Sequence, residues 1–217
     1  MYSGFYNTRD AVCNKGRIKV IGTGNLKVQP DMAIVNLGII TEDKNLEKAQ
    51  RENAKISNRV IKELQNMGID KIDISTSSYN IEAQYDYVDN KRVFRSYRVT
   101  NILSVNIRDI SKVGEIIDAS VRNGVNNVGN IRFTISNPKH YNNKALKLAV
   151  ENSVEKAMVI GSTLKVHVNT TPCSVKEVTS AGRLGEKNIA MLESAQATPI
   201  MPGELTINRA VEAIFIY

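Results

Sequence analysis

The clearest pattern of hydrophobic and polar positions lies in residues 97–129. Its first part has apolar residues at alternate positions, which is the period of a strand with one buried face: Val99, Leu103, Val105 and Ile107. After Asp109, which can cap a helix, the period changes to three or four residues. The apolar positions are then Ile110, Val113, Ile116, Ile117 and Val121. Gly124 can adopt the left-handed conformation that ends many helices. The sequence therefore predicts a long strand, a capped helix and the start of another strand.

The same two periods predict the other elements of the chain. Strand-like alternation occurs in residues 18–24, 33–39, 72–87, 128–136, 166–180 and 204–216, and helical periods occur in residues 43–67 and 138–164. The turn at Pro30 and Asp31 predicts that the first two strands form a hairpin-like pair. Small residues on the apolar stripe of the last helix predict its close approach to a sheet or another helix. They are Ala149, Ser153, Ala157 and Gly161.

The segment Gly22-Thr23-Gly24 has the glycine spacing of a weak phosphate-binding motif. A phosphate-binding loop requires the N-terminus of a helix directed at the phosphate, and here a second strand follows instead. We therefore interpret the segment as part of a strand, and we expect no cofactor.

Residues 72–107 are predicted to form a long hairpin around the turn chemistry of Asp89 and Asn90. A shift of the apolar phase between Thr76 and Tyr79 predicts a β-bulge in its first strand. Aromatic and arginine side chains alternate near the turn and form the candidate interface: Tyr85, Tyr87, Arg92, Phe94 and Arg95. Such residues can pack in a protein interface, stack on nucleic-acid bases or form cation–π contacts on an ordinary exposed hairpin.

The composition indicates a folded chain with a basic surface. Hydrophobic residues make up 42% of the 217 positions, which is ample for a core, and the net charge is +7. The surplus of basic residues is concentrated in residues 1–30 and 111–165 without forming a dense basic run. We therefore regard nucleic-acid binding as the least favoured function.

No group of residues indicates catalysis or metal binding. Cys13 and Cys173 are single and far apart, with no CxxC pair or nearby His, so we expect no metal site. Residues 181–203 lack periodicity and predict a long mobile loop. Residues 1–16 predict a flexible arm without the apolar core of a signal peptide, and no stretch is long enough to span a bilayer. From these features we expect a cytoplasmic protein.

Four segments together resemble the SIMPL-domain proteins, a family that includes periplasmic and outer-membrane immunogenic proteins. They are IKVIGTG followed by VQPDMAIVNLGI, GIDKIDISTSSYNIEAQYDY, YRVTNILSVNIRDISKVGEIIDASVRNGVNNVGNIRF, and TPIMPGELTINRAVEAIF. The resemblance covers roughly residues 17–217 and implies an α+β fold of two βαββ-like halves, with largely antiparallel sheets and helices packed on one face. It also implies oligomers and, for some members, roles in stress tolerance or the cell envelope. The family has no established catalytic residues.

These observations predict a domain over residues 17–217, with halves at roughly 17–110 and 111–217. The function we expect is non-catalytic: a homo-oligomeric assembly or interaction protein with a protein partner still to be identified. The alternative is a small-molecule binder or enzyme that uses the cleft between the halves. Its support is the polar run 75–78 and three arginines on strands, Arg98, Arg108 and Arg132.

Overall fold

The computed structural model describes residues 16–178 and 200–217, so the predicted flexible arm and most of the predicted loop lie outside the described residues. The described chain forms seven strands and three α-helices. The strands are β1 (Arg17–Val28), β2 (Met32–Asp43), β3 (Ile74–Val88), β4 (Lys91–Ile107), β5 (Asn127–Thr134), β6 (Ser174–Val178) and β7 (Leu205–Ile216). The helices are α1 (Leu46–Asn66), α2 (Val113–Arg122) and α3 (Pro138–Leu164).

The strands form two sheets in which every paired strand is antiparallel. One has four strands in the order β3-β4-β2-β5, and the other has three strands in the order β1-β7-β6. This arrangement confirms the α+β fold class predicted from the sequence.

The chain divides by contacts into two compact units that alternate along the sequence. Among the described residues, the end unit contains residues 16–29, 137–178 and 204–217, and the middle unit contains residues 30–136 and 200–203. This division differs from two consecutive halves that meet near residue 110, because strands from both ends of the chain pair in one sheet.

The middle unit contains β2, α1, β3, β4, α2 and β5 in chain order. With the strand order β3-β4-β2-β5, this is the split βαβ arrangement of ferredoxin-like folds. The helices supply Val60, Leu64, Val113 and Ile116 to a core against the buried face of the sheet. On β4 the buried positions include Val99, Leu103, Val105 and Ile107, as the alternation predicts.

Helix α1 begins at Leu46, three residues after the start of the predicted helical segment 43–67. Asn45 caps it and accepts a hydrogen bond from the Lys48 N–H at 3.1 Å, whereas Asp43 ends β2 and accepts from the Asn45 N–H at 2.7 Å. The single polar residue on the predicted stripe, Asn53, is 1% exposed. Its amide donates to the carbonyl oxygen of Ile39 at 2.9 Å, so the helix is hydrogen-bonded directly to the sheet.

The predicted hairpin and bulge are confirmed. β3 and β4 pair along their length, and Asp89 and Asn90 have φ values of 49° and 61°, as tight hairpin turns require. The register shifts between Thr76 and Ser78, which makes Ser77 an extra residue in β3. A second shift leaves Arg95 as an extra residue in β4.

The predicted hairpin of the first two strands is wrong. β1 pairs with β7 from Arg17↔Ile216 to Val28↔Leu205, while β2 belongs to the other sheet. The turn at Pro30 therefore moves the chain from one sheet to the other. Of the predicted strand 166–180, the structure describes residues 166–178, and among these Ser174–Val178 pairs with β7.

Helix α3 contacts β1 at the distance of backbone packing. Its buried stripe consists of small residues: Ala145, Ala149, Ser153, Ala157 and Gly161. A Cβ atom on Gly22 would lie 2.1 Å from the Ala149 carbonyl oxygen, and one on Gly24 would lie 1.9 Å from the Ala145 carbonyl oxygen. The two glycines therefore allow the helix to reach the strand. Two larger residues near the end of this helix, Ile160 and Leu164, are exposed.

We expect Gly24→Ala to lower the free energy of unfolding by about 2 kcal/mol or more, because the new methyl group must displace helix backbone rather than a flexible side chain. Urea unfolding followed by circular dichroism measures this loss. Gly203→Ala is the matched control, since nothing lies within 4 Å of a Cβ atom there. Equal stability of the two variants would contradict the close-packing explanation.

Candidate interaction surface

The side chains near the hairpin turn form a cluster of aromatic rings and one guanidinium group. We call residues 85–95 the hairpin tip. Tyr85 and Phe94 lie opposite each other in the register, with ring centroids 6.0 Å apart in an edge-on arrangement. The guanidinium carbon of Arg92 lies 3.7 Å from the centroid of the Tyr85 ring, in cation–π geometry. Tyr85 therefore contacts two of the other predicted interface residues, Phe94 and Arg92.

Much apolar surface at the hairpin tip is exposed. Tyr87 is 77% exposed, and Tyr85, Val88, Val93 and Phe94 are also exposed. Tyr and Arg are the residue types most enriched at the energetic centres of protein interfaces. A Tyr has few rotatable bonds, so it loses little conformational entropy when a partner covers it. The hairpin tip therefore has the chemistry of a contact surface.

Tyr97 extends the cluster and was not identified from the sequence. Its ring centroid lies 5.0 Å from that of Phe94. The extra residue at Arg95 changes the alternation of β4, so Phe94 and Tyr97 contact each other although they are three positions apart. A strict period of two would assign these residues to opposite faces of the strand.

Arg95 has a different environment from the other predicted interface residues. It forms ion pairs with Asp86 and Glu42, each with a nitrogen–oxygen distance of 3.4 Å. Glu42 also accepts from the Arg98 Nε–H at 2.6 Å and from the Ser96 hydroxyl at 3.0 Å. The hydrogen bond from Arg98 is the main cause of the lowered pKa of Glu42. The hydrogen bond from Ser96 and the positive charge of Arg95 lower this pKa further. This network fixes β4 to β2 at the base of the hairpin tip.

The alternative function, a small-molecule binder or enzyme, was supported by three arginines on strands. Two of these arginines form ion pairs with carboxylates of the same chain. Arg98 is bound to Glu42, and Arg108 forms a two-pronged pair with Asp73, with nitrogen–oxygen distances of 2.9 Å. The Asp73 side chain is 7% exposed, and its hydrogen bonds and charge raise the pKa of Arg108. Arg132, on β5, forms no ion pair with any described residue. The arginines therefore do not form a common anion site in the described middle unit.

Two concave regions occur within the units. In the middle unit, a cavity of about 130 Å³ is bordered by Asp73, Arg108 and neighbouring residues, and it is smaller than most ligand sites. In the end unit, an open groove of about 440 Å³ lies between β1 and α3. Its polar residues Asn152 and Lys156 already bind backbone groups of β1. Neither region brings unused polar groups together.

The described residues contain no group of three or more His, Cys, Asp or Glu side chains that could hold a metal ion. None of the helices in residues 16–178 and 200–217 is long and apolar enough to cross a membrane.

The fold and the hairpin tip define a small α+β protein with an exposed aromatic surface and no assembled reaction centre in its described part. Comparison with known proteins identifies its family. Residues 18–215 match the SIMPL family, which is described as a protein of unknown function (DUF541). The chain therefore belongs to the SIMPL family, as the four sequence segments predict.

Curated relatives support this membership. The 26 kDa periplasmic immunogenic protein of Brucella melitensis is 31% identical over 92% of this chain and 84% of its own length. The protein of the same name from Brucella abortus is 30% identical over the same shares. The uncharacterized protein YggE of Escherichia coli is 25% identical over 65% of this chain and 57% of its own length. None of these names states an enzymatic activity.

The prediction of a cytoplasmic protein is wrong. It relied on the lack of a continuous apolar run in residues 1–16. The two Brucella relatives match most of this chain, and both are named as periplasmic proteins. The apolar content of one short segment does not determine the compartment.

We expect Glu42→Gln to remove a stabilisation that depends on pH. Because the folded-state pKa of Glu42 is below its ordinary value of 4.5, the ion-pair network stabilises the protein above about pH 4.5 and loses this effect as the pH falls through the lower folded-state pKa. The difference in unfolding free energy between the native chain and the variant should therefore shrink on acidification. Urea titrations from pH 7 to pH 3 measure it. The control is the same substitution at a glutamate that forms no ion pair with the described residues, Glu52→Gln.

We expect Arg108→Ala to destabilise the protein, because it leaves the buried carboxylate of Asp73 without its cation. Arg108→Lys should recover only part of the stability, since an ammonium group cannot form both hydrogen bonds of the guanidinium fork. Thermal unfolding compares these variants with Arg132→Ala, which removes an exposed arginine that lacks an ion pair with the described residues. Equal unfolding temperatures for Arg108→Ala and Arg132→Ala would show that the pair does not contribute.

Proposed function

We propose that this protein is a non-catalytic assembly protein that associates with copies of itself through the hairpin tip. The observation that carries the proposal is the exposed cluster of Tyr85, Tyr87, Arg92 and Phe94 on a hairpin. The cluster presents an edge-on pair of aromatic rings and a cation, and Tyr87 beside them is 77% exposed. The free energy of the system falls when another protein surface excludes water from an apolar surface of this kind, so association is favoured.

The base of the hairpin supports the same role. The ion pairs of Arg95 with Asp86 and Glu42 connect the tip to the central strand β2. A contact surface held in one conformation loses less entropy on binding than a flexible one. We therefore assign Arg95 to the support of the tip, and Tyr85, Tyr87, Arg92 and Phe94 to the contact.

We further propose that the protein acts in the periplasm. This part of the proposal is supported by the names of the Brucella relatives, which match 92% of this chain. Fractionation of cells that produce the full-length native protein tests it, with periplasmic and cytoplasmic marker enzymes as controls. Recovery with the cytoplasmic marker would contradict the proposal.

We expect the molar mass in solution to be a multiple of the 24.1 kDa chain mass and to fall on dilution. Tyr87→Ser should raise the dissociation constant about tenfold or more, because truncation of a central aromatic residue is among the costliest changes in an interface. Light scattering on a sizing column, over a range of concentrations, measures both quantities.

Val159→Ser is the matched control for this experiment. Val159 is an exposed apolar residue of the end unit, beside the groove between β1 and α3. It should leave the dissociation constant unchanged. A native chain that stays at 24.1 kDa at high concentration would contradict the assembly function, and dissociation by Val159→Ser but not by Tyr87→Ser would place the contact on the other unit.

A further inference from the structure

Each of the two sheets ends in strands whose outward N–H and C=O groups are not paired with another described strand, and such edges are templates for pairing between chains. The edge of β1 is covered by side chains of α3. The Thr23 N–H donates to the Asn152 side-chain oxygen at 3.1 Å, and the Lys156 ammonium group donates to the Ile21 carbonyl oxygen at 2.7 Å. Because two side chains one helical turn apart occupy these backbone groups, an incoming strand must displace both.

The edges formed by β5 and β6 are short or irregular. β6 has five residues, of which Lys176 and Glu177 are charged. β5 has eight residues, its register with β2 is interrupted between Val35 and Leu37, and Arg132 lies on it. Short length, bulges and charged side chains are the usual protections of an edge strand.

β3 is longer than the other edge strands, although it carries the extra residue Ser77 and the carboxylates Glu82 and Asp86. It has 15 residues without a Lys, Arg, Pro or Gly. Among the described residues, no backbone group of positions 75–88 forms a hydrogen bond outside the pairing with β4. On the face that it shares with the buried side of β4, it carries a row of mainly exposed apolar residues, which we call the tyrosine row. The tyrosine row consists of Tyr79, Ile81, Ala83, Tyr85 and Tyr87.

We infer that β3 pairs with β3 of a second copy of this chain, antiparallel, with the two-fold axis at Ile81. This inference rests on the proposed self-association and names its geometry. Between the two register shifts, residues Ser78–Gln84 pair regularly with β4, and Ile81 is the midpoint of that run. An antiparallel pair about Ile81 therefore uses the regular part of both copies and joins their four-stranded sheets into one continuous sheet.

The side chains are complementary in this register. In the tyrosine row, Tyr79 of one copy faces Ala83 of the other, so a large side chain meets a small one on both sides of the axis. On the opposite face, Asn80 meets Glu82, and an amide can donate to a carboxylate. Within one copy these two side chains are already 2.7 Å apart in such a hydrogen bond.

Two other registers are less favourable because of charge. Pairing about Glu82 would place its two copies opposite each other, and pairing about Gln84 would place Glu82 opposite Asp86. Like charges directly opposite each other destabilise a strand pair. In the register about Ile81, Glu82 faces Asn80, and Asp86 lies beyond the regular run, beside residues 75–77 of the other copy, which include no carboxylate.

The residues at the two ends of the paired strands are also complementary in apolar character and charge. Full overlap of β3 places the hairpin tip of each copy beside the start of β3 in the other. There Ile72 is 87% exposed, the largest exposed fraction among the large hydrophobic residues of the described chain, and Asp70 is exposed as well. The tip offers Tyr87 and Val88 as apolar partners and Lys91 as a cation.

The test is a pair of substitutions at one exposed position, Asn80→Glu and Asn80→Lys, compared with the native chain by sedimentation equilibrium. In the inferred register, Asn80→Glu places the new carboxylate of each copy opposite Glu82 of the other copy. The two pairs of like charges should raise the dissociation constant about tenfold. Asn80→Lys instead places an ammonium group opposite Glu82 and should preserve or tighten the association.

The net charge of the chain alone predicts the reverse order of affinities for the two variants. The native chain carries +7, so Asn80→Glu lowers the mutual repulsion of two copies and Asn80→Lys raises it. Circular dichroism establishes that both variants are folded. An Asn80→Glu chain that associates as tightly as the native chain, or more tightly than Asn80→Lys, would overturn the β3 pairing while leaving self-association through the hairpin tip intact. A native chain that is monomeric at all concentrations would overturn both, and would leave the edge to a strand of a different protein.

Discussion

Unpaired backbone groups at the edges of its sheets are the constraint on which this structure depends. A strand edge must be covered, shortened, charged or paired, because its N–H and C=O groups attract other chains. In the end unit, Asn152 and Lys156 cover the edge of β1, and β6 is short. In the middle unit, β5 is short and irregular, whereas β3 is long and open. The contrast among the four edges is the reason why we propose β3 as the edge that pairs with a second copy.

The protection of β1 depends in turn on small residues. Gly22 and Gly24 allow α3 to approach until its backbone is in contact with the strand. At that distance the side chains of Asn152 and Lys156 reach the outward groups of β1. The glycine spacing that superficially suggests a phosphate-binding loop therefore serves helix–strand packing. The same motif thus has a structural explanation in which no ligand takes part.

Local features of the fold could be predicted from the sequence, and features that join distant residues could not. The hairpin follows from Asp89 and Asn90, whose positive φ values suit a tight turn, and its aromatic residues were recognised by their spacing. The pairing of β1 with β7 was missed because it joins opposite ends of the chain, and Pro30 is equally compatible with a hairpin or with a change of sheet. One partner of Arg95, Glu42, belongs to another strand, so this ion pair could not be predicted from the hairpin alone.

The middle unit therefore combines an ion-pair base, an exposed aromatic tip and an open strand edge on one hairpin. The central claim of this account is that the outer edge of β3 is paired in the assembled protein. Amide hydrogen exchange, measured along β3 at increasing protein concentration, tests it most directly. The account predicts that the outward-facing amides, at alternate positions of residues 78–84, gain protection in parallel with the rise in molar mass. Unchanged exchange at these positions, at concentrations where the mass has at least doubled, would contradict it.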